Sequence, residues 1–148
     1  MKEEYKILND RELSLGKEDF ESATLFVLVM HRKDENVEEF HSTYFFREAA
    51  ENVGEFYRGN LPMAYDTYHI LEISGEMDEP DYRRYFAATL LWNMKLSCQN
   101  EDYYRSALGE LEAFERVYNI CVVMPEDWHP ALTTYNEIIT NVEIYTVE

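Results

Sequence analysis

The sequence predicts an all-α protein of about six helices packed as antiparallel hairpins. Along most of the chain, apolar residues recur at spacings of three and four, which is the period of an amphipathic helix. Glycine and proline are scarce, with 5 and 4 among 148 residues, and this scarcity argues against a turn-rich β-sandwich. Because no linker or low-complexity segment interrupts the pattern, we expect residues 1–148 to form a single helical domain, with a loose N-terminal arm at 1–13.

The first predicted helix runs over residues 17–33. Acidic residues lie in its first turns and basic residues in its last turn, as the helix dipole prefers. Its apolar run from Leu25 to Met30 is short and partly β-branched, so a buried strand is the alternative interpretation. A short strand therefore remains open at residues 24–30, and another at the C-terminus over residues 142–147.

A long second helix is predicted over residues 37–58 and a third over residues 62–73. Gly59-Asn60 separates the two, and Pro62 suits the first turn of the third helix. The second helix is predicted from one apolar stripe, formed by Val37, Phe40, Tyr44, Phe45, Ala49, Val53 and Phe56.

The second half of the chain carries the clearest helix signals. Residues 78–81, Asp-Glu-Pro-Asp, combine an N-cap with a proline in the first turn and predict a fourth helix to about Leu96. A fifth helix follows a short break at residues 100–102 and ends near Tyr118. After a connector at residues 120–126, a last helix begins near Asp127.

Four of these segments share one spacing, in which an alanine lies three residues after an apolar residue and four before the next. They are Phe20-Ala23-Val27-Met30, Leu61-Ala64-Tyr68-Leu71, Tyr104-Ala107-Leu111-Phe114 and Trp128-Ala131-Tyr135-Ile138. This spacing, with the sequence Tyr-Arg-Gly-Asn-Leu-Pro-Met-Ala at residues 57–64, resembles the second helix of a tetratricopeptide-type repeat. The alanines are 41, 43 and 24 residues apart, whereas that family repeats about every 34 residues, so a plain helical bundle is the alternative. The resemblance implies a protein-binding scaffold with a concave face.

The chain is strongly acidic, with 30 Asp and Glu against 13 Lys and Arg and a formal net charge of −17. Residues 1–74 hold 16 acidic and 8 basic residues, and residues 75–148 hold 14 and 5, so the charge is spread over the whole chain. Direct binding to nucleic acid or to anionic membranes is disfavoured, because both need Lys and Arg. A basic protein partner is favoured, with solubility alone as the alternative purpose of the charge.

The cysteines and the apolar runs predict a cytoplasmic location, in a cell or in an infected host. Cys98 and Cys121 are expected to be buried free thiols, since two cysteines form neither a disulfide framework nor a zinc site. The N-terminal sequence lacks the apolar run of a signal peptide. The longest apolar run, from Leu25 to Met30, is too short to span a bilayer.

Catalytic chemistry has no sequence signature here. There is no glycine-rich phosphate loop, no Gly-x-Ser-x-Gly and no cysteine in a charged setting. The metal-like signals are three acid-x-x-His pairs: Glu38/His41, Asp66/His69 and Glu126/His129. Carboxylate-bridged di-iron bundles use this spacing deep within facing helices, whereas here Glu38 lies in a first turn and His129 precedes Pro130 at a helix start. With 30 acidic residues, pairs at this spacing are also expected by chance. We therefore predict no catalytic, cofactor-binding or metal-binding residues.

Acidic clusters with interleaved aromatic residues are the predicted partner-binding sites. Twelve tyrosines exceed what a core of this size needs, and exposed tyrosines favour protein interfaces. The candidates are Glu76, Asp78, Glu79, Asp81, Tyr82, Tyr85, Glu101, Asp102, Tyr103 and Trp128.

The sequence thus predicts a non-enzymatic protein-binding module, an inhibitor or adaptor that acts on a basic protein. The alternatives are an inhibitor that mimics nucleic acid and blocks a DNA- or RNA-binding or defence enzyme, and an immunity protein, which the chain resembles in charge and size. A metalloenzyme built on a helical bundle is the third class. The identity of the partner and the oligomeric state stay open.

Overall fold

Strands occupy much of the first half of the chain, so the prediction of an all-α protein is wrong. The computed structural model describes residues 15–21, 23–124, 126, 128, 129 and 133–147. Within these residues the protein is mixed α/β, with five helices and five strands in two antiparallel sheets. The predicted N-terminal arm at residues 1–13 and the start of the predicted last helix at Asp127 lie outside the described residues.

The elements follow in chain order, and their bounds are these: α1 Lys17–Glu21, β1 Leu25–Arg32, β2 Val37–Tyr44, α2 Arg47–Asn60, β3 Tyr65–Ile73, α3 Pro80–Leu96, α4 Glu101–Tyr118, β4 Ile120–Val123, α5 Tyr135–Asn141 and β5 Glu143–Thr146.

The chain forms two compact units. Residues Thr24–Gly75 form the sheet unit, which contains β1, β2, β3 and α2. The described residues within Met1–Ala23 and Glu76–Glu148 form the helical unit, which contains α1, α3, α4, α5 and the β4–β5 sheet. The single-domain organisation stays a prediction.

β1 is the central strand of the larger sheet, which has the order β2-β1-β3. Leu25, Val27, Leu28 and Met30 are almost completely buried, although successive side chains of a strand point to opposite faces. A strand buried on both faces reads as a continuous apolar run without alternation. The strand alternative at residues 24–30 is therefore the one that the structure shows, and the helix at residues 17–33 is confined to its first turn.

A β-bulge explains why the apolar residues of β2 have the spacing of a helix in the sequence. Its register with β1 shifts between Leu28, which faces Ser42, and Val29, which faces Phe40, so His41 is the extra residue. The bulge breaks the period of two, and Val37, Phe40 and Tyr44 fall at helical spacings although they belong to two faces of a strand. The predicted helix over residues 37–58 is therefore β2 followed by α2.

The predicted third helix over residues 62–73 is β3. Tyr68 and Ile70 pair with Met30 and Leu28 on one face of the sheet, and Leu71 and Ile73 belong to the other. The change of apolar face within one strand produces the spacing that predicted a helix.

α2 packs on the sheet through small residues. Ala50 and Gly54 are the buried residues of this helix, and they allow its backbone to approach the strands closely. At its start, Arg47 donates to Glu72 at 2.8 Å, and its guanidinium lies 5.4 Å from the ring centre of Phe26.

α3 and α4 form an antiparallel hairpin, which confirms these two predicted helices. Pro80 occupies the first turn of α3, and the side chain of Asn100 caps α4 by accepting a hydrogen bond from the backbone N–H of Tyr103 at 3.1 Å. Phe86 and Phe114 stack between the two helices with ring centres 5.2 Å apart.

The repeat spacing does not correspond to repeated structure. Only Tyr104-Ala107-Leu111-Phe114 lies wholly within one helix; Val27 and Met30 are in β1, and Tyr68 and Leu71 are in β3. Ala131 of the fourth segment lies outside the described residues. The tetratricopeptide-like stack of helical hairpins is therefore wrong, because residues on sheet strands produced two of its four matches.

Candidate functional site

The predicted partner-binding residues do not form one surface. Glu76, Asp78, Glu79 and Asp81 are exposed around the start of α3, whereas Glu101, Asp102 and Tyr103 begin α4. Because the two helices are antiparallel, their starts lie at opposite ends of the hairpin, about 25 Å apart for a helix of this length.

The aromatic candidates are less exposed than predicted. Tyr82 is buried and donates its hydroxyl hydrogen bond to the backbone oxygen of Ala23 at 3.2 Å. Tyr85 and Trp128 are half-buried, and Tyr103 is exposed. Of the predicted aromatic contacts, Tyr103 is thus the one that offers a mostly open side chain.

A groove of about 400 Å³ lies elsewhere in the helical unit, between the start of α3 and β5. One wall consists of Asp78, Pro80, Arg83 and Arg84, and the other of the consecutive residues 142–146. None of the β4 residues lines this groove. The groove therefore borders the edge of β5 that faces away from β4.

The free edge of β5 can be located from its register with β4. Val147 donates its backbone N–H to Asn119 at 2.9 Å, and Ile144 pairs with Val122. Opposite residues in an antiparallel pair alternate between bonded and non-bonded positions. Counting from Val147 by twos places Tyr145 at a bonded position and Ile144 and Thr146 at non-bonded ones.

The partner strand supports this assignment. The backbone N–H of Val122 donates to Glu115 Oε2 at 2.9 Å, and so points away from β5. Ile144, opposite Val122, therefore directs its own N–H and C=O away from β4. By this register the N–H and C=O groups of Ile144 and Thr146 point away from β4, and no hydrogen bond joins them to another part of the described chain.

Arg83 is held at the groove by contacts on two sides. Its Nε donates to the backbone oxygen of Met77 at 2.7 Å, and its guanidinium lies 5.4 Å from the ring centre of Tyr118. Burial raises the pKa of Tyr118 to about 12, so this ring stays neutral at physiological pH. Within the described part of the chain, no carboxylate lies within 4.0 Å of Arg83.

The neighbouring Arg84 forms hydrogen bonds with the backbone at the end of α5. Its Nε donates to the backbone oxygen of Ile139 at 3.0 Å and its Nη2 to that of Thr140 at 2.8 Å. These carbonyls belong to the last turn of α5, where helix carbonyls lack intrahelical partners. Arg84 thus stabilises the end of α5 immediately before β5 begins.

Two acidic residues complete the groove. Asp78 and Glu143 are exposed, and the carboxylate of Glu143 accepts a hydrogen bond from the hydroxyl of Tyr145. The lining therefore contains two arginines and two acids, in contrast to the large excess of acids in the whole chain. The lining of the groove therefore carries equal numbers of positive and negative side chains.

His31 and His69 pair with acidic residues across strands, and not along the chain at the acid-x-x-His spacing. His31 Nδ1 lies 2.5 Å from Asp66 Oδ1, and His69 Nδ1 lies 3.7 Å from Glu38 Oε1. The acid-x-x-His spacings Glu38/His41 and Asp66/His69 put both side chains on one face only in a helix, whereas these residues lie on β2 and β3. In the described residues, no three His, Cys, Asp or Glu side chains converge as metal ligands.

His31 joins the β1–β2 turn to β3. Its Nε2 lies 3.1 Å from Asn36 Oδ1, and Asn36 adopts a left-handed conformation with φ of 52°. The hydrogen bond to Asp66, followed by that to Asn36, raises the pKa of His31, and the bond from His31 lowers the pKa of Asp66. In the protonated ring both nitrogens donate, so the imidazolium ties the β1–β2 turn to β3.

The sequence reasoning missed Arg83, Arg84 and β5 as a site. One signal was available, since Arg83-Arg84 is a basic pair in a half-chain that has only 5 basic residues. That signal did not show which strand the pair would face.

No known protein-family model, no curated protein and no solved structure matches this chain. None of the helices in the described ranges combines the length and the apolar character that a membrane span requires. The cysteines are free, Cys98 half-buried and Cys121 exposed, so the expectation of two buried thiols is wrong.

Proposed function

We propose that the protein is a non-enzymatic protein-binding module that holds an extended segment of its partner along the open edge of β5. The observation that carries this proposal is the pair of residues Ile144 and Thr146, whose unpaired backbone groups border a groove of about 400 Å³. A strand that lies in the groove would pair with these groups, and its alternate side chains would contact α3. Strand addition to an exposed sheet edge is a recurring mode of peptide recognition.

The net charge sets the kind of partner. At −17, the chain attracts a protein of positive net charge, and this attraction raises the rate of encounter. The module therefore acts as an inhibitor or adaptor on a basic protein. The reducing cytoplasm, of the cell or of an infected host, is part of this proposal and is supported by the exposed free thiol of Cys121.

The nucleic-acid-mimic alternative has weaker support. Mimicry needs carboxylates in a row with phosphate-like spacing, whereas the two predicted acidic clusters lie at opposite ends of the α3–α4 hairpin. Double-stranded DNA as a competitor separates the two functions: it displaces a target enzyme from a mimic, but it does not prevent a peptide from pairing with β5.

The test is a selection of random peptides displayed on phage, followed by affinity measurements on the protein and on its Ile144→Pro variant. Proline removes the outward N–H of Ile144 but none of the bonds to β4, so the small sheet stays paired. Ile144→Val is the matched control, because it shortens the side chain and keeps the N–H.

We expect the selected peptides to bind the original protein and Ile144→Val alike and to bind Ile144→Pro about tenfold more weakly. Hydrogen exchange at the amides of Ile144 and Thr146 slows on binding. Equal affinity for the proline variant, with circular dichroism showing that it is folded, contradicts the proposal. So does a selection that yields no specific peptide.

A further inference from the structure

We propose that Arg83 is a carboxylate-binding subsite of the groove, so that the bound segment carries one carboxylate in an otherwise basic extended stretch. This inference rests on the proposed strand addition to β5 and specifies its ligand. The carboxylate comes from an Asp or Glu side chain or from the C-terminus of the partner.

The first argument is the contrast between Arg83 and the other arginines of the described chain. Four of these have a carboxylate at 2.8 to 3.2 Å, and they are Arg32, Arg47, Arg58 and Arg105. Arg84 and Arg116 use their donors on backbone carbonyls. Arg83 lines the groove with neither kind of partner on its Nη atoms within the described residues.

The second argument is that Arg83 is already positioned. The bond from its Nε to Met77 and the ring of Tyr118 hold the guanidinium in place, so less side-chain entropy is lost when a ligand binds. Its two Nη groups form the planar fork that binds carboxylates bidentately. A half-buried fork of this kind selects a carboxylate over an amide, because the amide offers only one acceptor oxygen.

The third argument concerns the rest of the peptide. Asp78 and Glu143 line the same groove, and the chain as a whole is acidic, so a second carboxylate in the ligand would be repelled. Lysine or arginine at the neighbouring positions of the ligand would be attracted. The two charge patterns together describe a single acidic position flanked by basic ones.

The experiment uses synthetic peptides of about eight residues, the length of an ordinary strand. They have a Lys-, Thr- and Val-containing background, and one position at a time is changed to Glu or to Gln. Each peptide is made with a free and with an amidated C-terminus. Fluorescence anisotropy gives the affinity for the protein, for Arg83→Gln and for Arg58→Gln. The last variant removes the same charge from an exposed ion pair in the sheet unit.

We expect one Glu position, or the free C-terminus, to bind the original protein about tenfold more tightly than its Gln or amidated counterpart. Arg83→Gln loses this preference and keeps the weaker affinity for the neutral peptides, and Arg58→Gln keeps the preference. The series in which the preference occurs identifies the source of the carboxylate.

Two outcomes overturn the inference, and they differ in what they say about strand addition. If peptides bind and depend on the N–H of Ile144 but Glu and Gln are equivalent, the Arg83 subsite is wrong and the strand addition stands. If no peptide of either series binds the folded protein, both are wrong. Since the Glu-to-Gln change is made in the peptide, the result does not depend on the folding of the Arg83 variant.

Discussion

Gly54 of α2 lies directly against the aromatic ring of Tyr68 on β3. A Cβ atom built on Gly54 would be 2.7 Å from Cδ2 and 2.8 Å from Cγ of that ring. The ring cannot easily move aside, because the Tyr68 hydroxyl donates to Glu55 Oε1 at 2.9 Å. The absence of a side chain at position 54 therefore sets the distance between helix and sheet.

We predict that Gly54→Ala destabilises the protein by about 1–3 kcal/mol, the usual range for overpacking. In an open helical position the same change would stabilise by about 1 kcal/mol, because alanine is the better helix former. Gly59→Ala provides that control, since nothing lies within 4 Å of its Cβ and it belongs to the same helix. Urea unfolding measures both.

A second variant identifies the cause of the loss. Combining Gly54→Ala with Tyr68→Ala removes the ring that the new methyl group meets. The double variant should therefore lose less unfolding free energy than the two single variants lose together. If Gly54→Ala and Gly59→Ala have equal effects, the close approach is not what determines the residue at position 54.

Asn119 supports a second prediction, because it joins α4 to β4 in the left-handed region with φ of 53°. Its side-chain Nδ2 also donates to the backbone oxygen of Val147 at 2.8 Å. Asn119→Ala should cost about 1–2 kcal/mol for the backbone conformation alone, in addition to the lost hydrogen bond. Thermal unfolding measures the cost.

Asn119→Gly is the control, since glycine adopts the left-handed region freely and lacks only the hydrogen bond. We expect the protein with Asn119 to be the most stable, the Asn119→Gly variant to be less stable and the Asn119→Ala variant to be the least stable. Hydrogen exchange at Val147, whose amide donates to Asn119, should quicken in both variants. An alanine variant as stable as the original protein contradicts the role of the left-handed turn.

The pair His31–Asp66 predicts a pH dependence of stability. The folded pKa of His31 is raised, so the protonated ring stabilises the fold. This contribution is fully present below the unfolded pKa of about 6.5 and is lost as the pH rises through the folded pKa. The pKa of Asp66 is lowered, so its contribution is present above its unfolded pKa of about 3.9 and is lost as the pH falls through its folded value.

Both contributions are present together at about pH 5 to 6.5. We expect His31→Gln to lower the melting temperature in this interval and to have little effect at about pH 9, where the ring of the original protein is neutral. Asp66→Asn should give the same profile, and the double variant should lose no more than either single one. Melting curves whose differences are constant across this range would contradict the pairing.

His41 acts in the opposite direction. Burial lowers its pKa, and the ring lies against Tyr57 with centres 4.7 Å apart. The folded state therefore prefers the neutral ring, and stability falls as the pH drops below the unfolded pKa of about 6.5. We predict that His41→Gln reduces the loss of unfolding free energy between about pH 7 and pH 5. An unchanged pH slope in this variant would show that the ring takes up its proton without cost.

The parts of the fold that the sequence predicted are those with local signals. Pro80 and Asn100 mark the starts of α3 and α4 whatever the rest of the chain does. The strands were misread because their patterns depend on distant partners. The bulge at His41 exists only relative to β1, and the burial of Leu25 to Met30 on both faces exists only in the sheet.

The candidate site could not be predicted from local sequence patterns, because it too depends on distant partners. The groove brings Arg83 to Ile144, which is 61 positions later in the chain. The acidic candidates were chosen because they cluster in the sequence near aromatic residues, and of these acids Asp78 is the one that lines the groove. Which acid meets which histidine depends on strand register, as Asp66 and Glu38 show.

The two walls of the groove are both anchored to the dipeptide Tyr118-Asn119. The ring of Tyr118 supports Arg83 on one side, while Asn119 fastens Val147 at the end of β5 on the other. One residue inserted between these two positions would rotate Tyr118 relative to Asn119 by the helical turn of one residue, about 100°. The number of residues at this junction therefore determines how the two walls of the groove are placed relative to each other, although neither Tyr118 nor Asn119 lines the groove.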